Sequence, residues 1–122
     1  MPVEINDKSQ TGKFVNANGI NMCYESYGKG SALIFLHGAM GTGQVWKPYV
    51  PLLSKDFNMI LPDLRGHGKT ENPGREIDHQ LLADDLVGLL KALKLEKPFL
   101  CGWSMGGDII DVYQSWLSFR PA

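Results

Sequence analysis

Apolar and polar positions along the chain divide it into alternating strand-like and helix-like stretches. Lys13 to Asn16 and Asn21 to Tyr27 read as two strands joined by the turn Asn16-Ala17-Asn18-Gly19, where Asn and Gly tolerate positive φ. Gly28-Lys29-Gly30-Ser31 is a second turn, and Ala32-Leu33-Ile34-Phe35-Leu36 is a continuous apolar run, the pattern of a strand covered on both faces. After the glycine-rich loop His37 to Gly43 the pattern predicts a helix with Val45, Trp46, Tyr49, Leu52 and Leu53 inward, kinked or interrupted by Pro51. Phe57 to Leu61 is the next strand, and Pro62 to Arg75 a long loop. Leu82, Leu86, Leu89, Leu90 and Leu93 form one helical stripe and predict a helix from about Asp78 to Leu95, with Asp78 as N-cap and Lys91 and Lys94 at the favourable end of the dipole. Phe99 to Trp103 is a last strand, and a final helix runs to about Leu117. Strands alternating with helices imply a parallel sheet with right-handed crossovers, whose ligands bind at the carboxyl ends of the strands. The loops at 37–43, 63–68 and 102–107 lie at such ends.

Composition narrows the functional classes. The 122 residues are 43% hydrophobic, enough for one packed domain, with residues 1 to 12 as a flexible polar leader. Twelve basic residues against 13 acidic ones leave a net charge of −1, with no footprint for nucleic acid or an anionic membrane. No apolar stretch approaches the roughly 18 residues of a membrane span, and the N-terminus has no signal-peptide pattern. Cys23 and Cys101 have no metal-like spacing and read as reduced, buried thiols of a cytoplasmic protein. There is no P-loop, dinucleotide fingerprint or metal-ligand cluster, so no cofactor and no metal are expected.

The chemistry concentrates in Gly102-Trp103-Ser104-Met105-Gly106-Gly107, a G-x-S-x-G sequence between a strand and a helix. That setting makes a nucleophile elbow. The turn is tight enough that the positions two residues either side of the serine must lack a Cβ, which Gly102 and Gly106 satisfy. A serine nucleophile needs a base, an orienting acid and donors aimed at the developing oxyanion. The Met105 N–H, at a helix start, is one such donor. The loop His37-Gly38-Ala39-Met40-Gly41 should supply the second, with Ala39 N–H the first choice and Met40 N–H the next.

Three motifs together resemble the α/β-hydrolase family, in particular its esterase-, lactonase- and haloperoxidase-like members: His37-Gly38 after an apolar strand with Trp46 following, Pro62-Asp63-Leu64-Arg65-Gly66-His67-Gly68, and the elbow. The match covers residues 14 to 107. It implies a truncated α/β-hydrolase fold, a mostly parallel sheet with an N-terminal hairpin flanked by helices, in strand order 1-2-4-3-5 with the elbow strand at an edge. It implies Ser104 as nucleophile, with the Ala39 and Met105 amides forming the oxyanion hole, and a small acyl substrate hydrolysed through an acyl-serine intermediate. It argues against dehalogenase- and epoxide-hydrolase-like chemistry, since those relatives carry aspartate at the elbow.

The family order is serine, then acid, then histidine. All three histidines here, His37, His67 and His79, precede Ser104. By the resemblance His37 braces the oxyanion loop and His67 its own loop, while His79 faces solvent. Asp63 and Arg65 tie their loop together by hydrogen bonds and an ion pair, and Asp108 and Asp111 are carboxylates of a helix surface. The expectation is that residues 13–122 are the N-terminal part of a hydrolase domain, inactive alone. A complementing chain or self-association through the open sheet edge is expected. The competing reading is a non-catalytic interaction protein using Tyr113, Trp116 and Phe119.

Overall fold

A computed structural model describes residues 12–119. The proposed leader, residues 1–11 of it, lies outside the described residues, as do the side chains of Trp116 and Phe119. Five strands form one sheet in the order β1-β2-β4-β3-β5: β1 Lys13–Ala17, β2 Ile20–Tyr27, β3 Ser31–Leu36, β4 Phe57–Pro62 and β5 Phe99–Gly102. β1–β2 and β2–β4 pair antiparallel, and β3–β4 and β3–β5 pair parallel. The hairpin register, Ala17 opposite Ile20, leaves a two-residue turn of Asn18 and Gly19. Both take positive φ, 53° and 80°, the backbone that matches strand twist.

Alternation along the central strands loads both faces. Phe35, Met59 and Leu61 point to one side and pack with Tyr27 and Val50; Ile34, Leu36 and Ile60 point to the other and pack with Leu82, Leu86 and Ile109. The second face is covered by α2 His79–Ala92 and α3 Met105–Phe119. The first is covered by the segment 43–53.

That segment corrects the sequence expectation. It is a 3₁₀ helix, Gly43–Tyr49, followed by the single-turn α1, Val50–Leu53. Pro48 and Pro51 each remove a backbone donor, so no continuous α-helix forms. With the register broken, Val45, Tyr49 and Leu52 are exposed rather than inward. Trp46 and Leu53 still pack on the core, Trp46 against Phe35 at 4.8 Å between ring centroids.

Helix α2 starts as predicted, with the Asp78 carboxylate accepting from Leu81 N–H at 2.7 Å. It ends at Ala92, short of the expected Leu95. Lys94 adopts φ 57°, and Leu95 N–H donates to Leu90 O at 2.9 Å. This is the left-handed cap usually built on glycine. Gly88, in mid-helix, admits the hairpin turn: a Cβ there would stand 2.5 Å from Asn18 N.

Candidate active site

β5 delivers the chain to the top of the sheet, and Trp103 N–H extends its pairing by donating to Leu36 O at 3.0 Å. Ser104 then turns the chain with φ 55°, a left-handed conformation for a residue bearing a Cβ, and α3 begins at Met105. The turn closes because two glycines surround it. A Cβ on Gly102 would lie 2.5 Å from Gly106 C, and one on Gly106 would lie 2.0 Å from Leu36 O. Ser104 is left exposed, with Trp103 beside it 58% exposed.

The oxyanion-loop candidate lies against this turn. A Cβ on Gly38 would meet the Trp103 ring at 2.9 Å and Ser104 Cβ at 3.3 Å, so the Gly38 backbone abuts the serine. Gly41 N–H donates to Gly38 O at 3.1 Å, and Met40, at φ 66°, turns its side chain fully outward. Neither the Ala39 nor the Met105 amide is engaged by another described group.

His37 sits beneath the loop, fully buried. Its Nδ1 is 2.7 Å from Gly38 O, and its Nε2 accepts from Leu64 N–H at 2.9 Å. Both bonds are made together only by the neutral Nδ1–H tautomer. Burial holds the ring pKa below the ordinary histidine value, opposed by the Gly38 bond. His67 packs 5.0 Å from His37, with its Nδ1 2.9 Å from Arg65 O. His79 is half exposed at the start of α2, with Nε2 3.7 Å from the exposed carboxylate of Asp108. Among the described hydrogen bonds, none joins a histidine ring to Ser104.

Asp63 and Arg65 each make the bonds expected of them, but Arg65 pairs outside its own loop. Asp63 accepts Gly43 N–H at 2.9 Å on Oδ1 and Lys69 N–H at 3.0 Å on Oδ2. Arg65 instead grips Asp85 of α2 in a bidentate pair, Nε to Oδ2 at 2.8 Å and Nη2 to Oδ1 at 2.9 Å. The Asp85 bond raises the arginine pKa further above its already high value. Asn18 adds a third bond to Asp85 at 2.9 Å.

Sequence reading missed two buried carboxylates. Asp85 lies in the Leu82–Leu86–Leu89 stripe, where a charge is out of place, and that was its available signal. Glu25 accepts from Tyr27 Oη and Gln44 Nε2 and pairs with Lys47 Nζ at 3.1 Å. Its strand offered no comparable cue, because Gln44 and Lys47 come from the segment 43–53, whose conformation the apolar pattern does not predict. Among the described residues no His, Cys, Asp and Glu group could hold a metal ion.

A parallel β3-β4-β5 core, an exposed serine on a strand–helix elbow and a glycine loop against it define an α/β-hydrolase scaffold. The chain belongs to that family: the sequence profile of the alpha/beta hydrolase fold matches residues 31–113. Epoxide hydrolase 3 of Siraitia grosvenorii is 38% identical over 110 residues, covering 88% of this chain and 34% of that protein. Serine hydrolase BPHL of Homo sapiens is 36% identical over 105 residues, covering 81% of this chain and 36% of that protein. The structure of a meta-cleavage product hydrolase from Pseudomonas fluorescens IP01 superposes with a TM-score of 0.81 at 30% identity, covering 90% of this chain and 42% of that one. The chain thus spans about a third of the length of the curated relatives it matches.

Proposed function

We propose that this chain carries the nucleophile and oxyanion hole of a serine-dependent hydrolase acting on small esters, lactones or related acyl compounds. The observation that carries the reading is Ser104: exposed, held at φ 55° between β5 and α3, with the Gly38 backbone against it. The Ala39 and Met105 amides would hold the oxyanion as Ser104 Oγ bonds to the acyl carbon. The Oγ proton passes to a base and then to the leaving group. Water next cleaves the acyl-serine ester and regenerates the hydroxyl.

The similarity to an epoxide hydrolase does not carry epoxide chemistry over. A serine that opened an epoxide would become an alkyl ether, which water does not cleave, so turnover would stop. An acyl-serine ester is cleavable. The elbow residue therefore favours acyl substrates.

His37 has both ring nitrogens engaged, its Nε2 lone pair by Leu64 N–H and its Nδ1 by Gly38 O, so it has no free acceptor for the Ser104 proton and cannot serve as the base. The acid and base of this reading come from chain beyond these residues or from a second polypeptide. Either source could add its strands at β5, which among the described strands pairs only with β3.

The test is fluorophosphonate labelling of the native protein in its source, with intact mass and peptide mapping. The reading expects the label on Ser104 in a species that also supplies a histidine, and labelling near background for residues 1–122 alone. A native protein that labels nowhere would remove the acyl-transfer reading and leave an interaction protein built on a hydrolase scaffold.

A further inference from the structure

The oxyanion-loop candidate lies against Trp103 and Ser104 at Gly38, and its two ends are each hydrogen-bonded to one of two consecutive residues. At the first, His37 Nε2 accepts from Leu64 N–H at 2.9 Å while the same ring bonds Gly38 O. At the second, Gly43 N–H donates to Asp63 Oδ1 at 2.9 Å. Asp63 itself is almost fully buried and is fixed in the sheet through its N–H to Cys23 O at 2.9 Å. Its second oxygen takes Lys69 N–H, and the loop closes so tightly over it that a Cβ on Gly68 would fall 2.3 Å from Oδ2. Among the described residues no cation pairs with Asp63. A buried carboxylate satisfied by backbone amides is costly unless both bonds form, so its geometry is closely defined.

We infer that Asp63 is a positioning residue for the oxyanion hole, acting through Gly43 to set where the Ala39 amide points. This rests on the acyl-transfer reading above. It goes beyond the role expected from sequence, in which Asp63 secured only its own loop. Between the two anchored ends, Gly41 N–H donates to Gly38 O and Thr42 O accepts from Val45 N–H at 3.2 Å, but no described bond holds Ala39 itself, so freeing the second end lets Ala39 swing. Misplacement of a reacting geometry by about 1 Å can cost about a hundredfold in rate.

The test compares wild type with Asp63→Asn, which presents an amide donor to one of the two N–H groups. In the 122-residue chain, amide hydrogen exchange is followed at Ala39, Gly41 and Gly43, at Lys69, and at Ile34 and Ile60 as sheet controls. The expected result is exchange at least about tenfold faster at Gly41 and Gly43 with the controls unchanged. Faster exchange confined to Lys69, or uniform across the controls, would reduce Asp63 to a structural residue and overturn the proposal. Should the variant not fold, wild type decides: a Gly43 amide that exchanges as fast as Met40 is not anchored, and the proposal fails. In parallel, Ser104 labelling of the native protein should fall about 10- to 100-fold in Asp63→Asn. Absence of labelling in wild type would sink the acyl-transfer reading alone, because the exchange arm still reports whether Asp63 anchors the loop.

Discussion

Ser104 illustrates how a single residue carries a conformational cost for the sake of its position. A side chain at φ 55° is disfavoured by roughly 1–2 kcal/mol, and the surrounding glycines hold it there. Ser104→Gly is expected to stabilise the chain by about 1 kcal/mol, read as a higher denaturant midpoint, while abolishing covalent labelling of the native protein. Lys94 bears a similar strain with no such position to hold. Lys94→Gly should add about 0.5–1 kcal/mol by relieving the φ of 57° at the end of α2, measured by thermal unfolding. His37 couples the loop to pH. Its folded pKa lies below 6.5, so below that pH the unfolded chain binds the extra proton and the folded one does not. Its contribution to stability is complete above pH 6.5 and is lost as pH falls towards the folded value. Unfolding midpoints at pH 7.5 and 5.5 should differ more for wild type than for His37→Gln.

At the scale of elements, the Arg65–Asp85 pair joins the loop after β4 to α2, and Asn18 brings in the β1–β2 turn. Both partners are buried, with side-chain exposures of 8% and 0%. Removing one leaves an uncompensated charge. Asp85→Ala should cost about 3–5 kcal/mol, and a combined Arg65→Met and Asp85→Leu replacement should recover most of that. Chemical denaturation of the single and double variants checks both. The pair was half legible: the sequence points to Arg65 as an ion-pair residue of its own loop, but nothing local names a partner on α2. A loop and a helix 20 positions on are brought together only by packing. The mistaken helix over 43–53 has a similar origin. Its apolar spacing suited a helix, but Pro48 and Pro51 each remove a donor that a continuous α-helix would need.

For the molecule as a whole, the asymmetry of the sheet matters most. β1, held to β2 by a tight turn, forms one edge, while the parallel β5 forms the other with its apolar residues half exposed and Phe99 57% exposed. An open, apolar parallel edge is a template for another strand. Sedimentation velocity of residues 1–122 should show concentration-dependent association that weakens in Phe99→Lys. A monomer at every concentration would contradict this. Helix α3 contributes to the same side. Tyr113 packs on the core from α3 and also borders a groove of about 560 Å³ against α2, so the aromatic spacing there marks core at least in part.

Local physics accounts for what could be read from the sequence alone. The strand runs, the Asn18-Gly19 turn, the Asp78 cap and the elbow between Gly102 and Gly106 each depend on residues within a few positions of one another. Steric limits on φ and the period of the apolar pattern therefore determined them. The strand order and the identity of the loops around Ser104 followed from the motifs through their resemblance to a family. Tertiary structure decided what depends on groups distant in sequence. The Asp63 carboxylate reaches Gly43, Arg65 reaches Asp85, and Glu25 reaches Gln44 and Lys47. Each is a polar group whose burial is tolerable only with a partner, and no local pattern names a partner that folding brings from elsewhere.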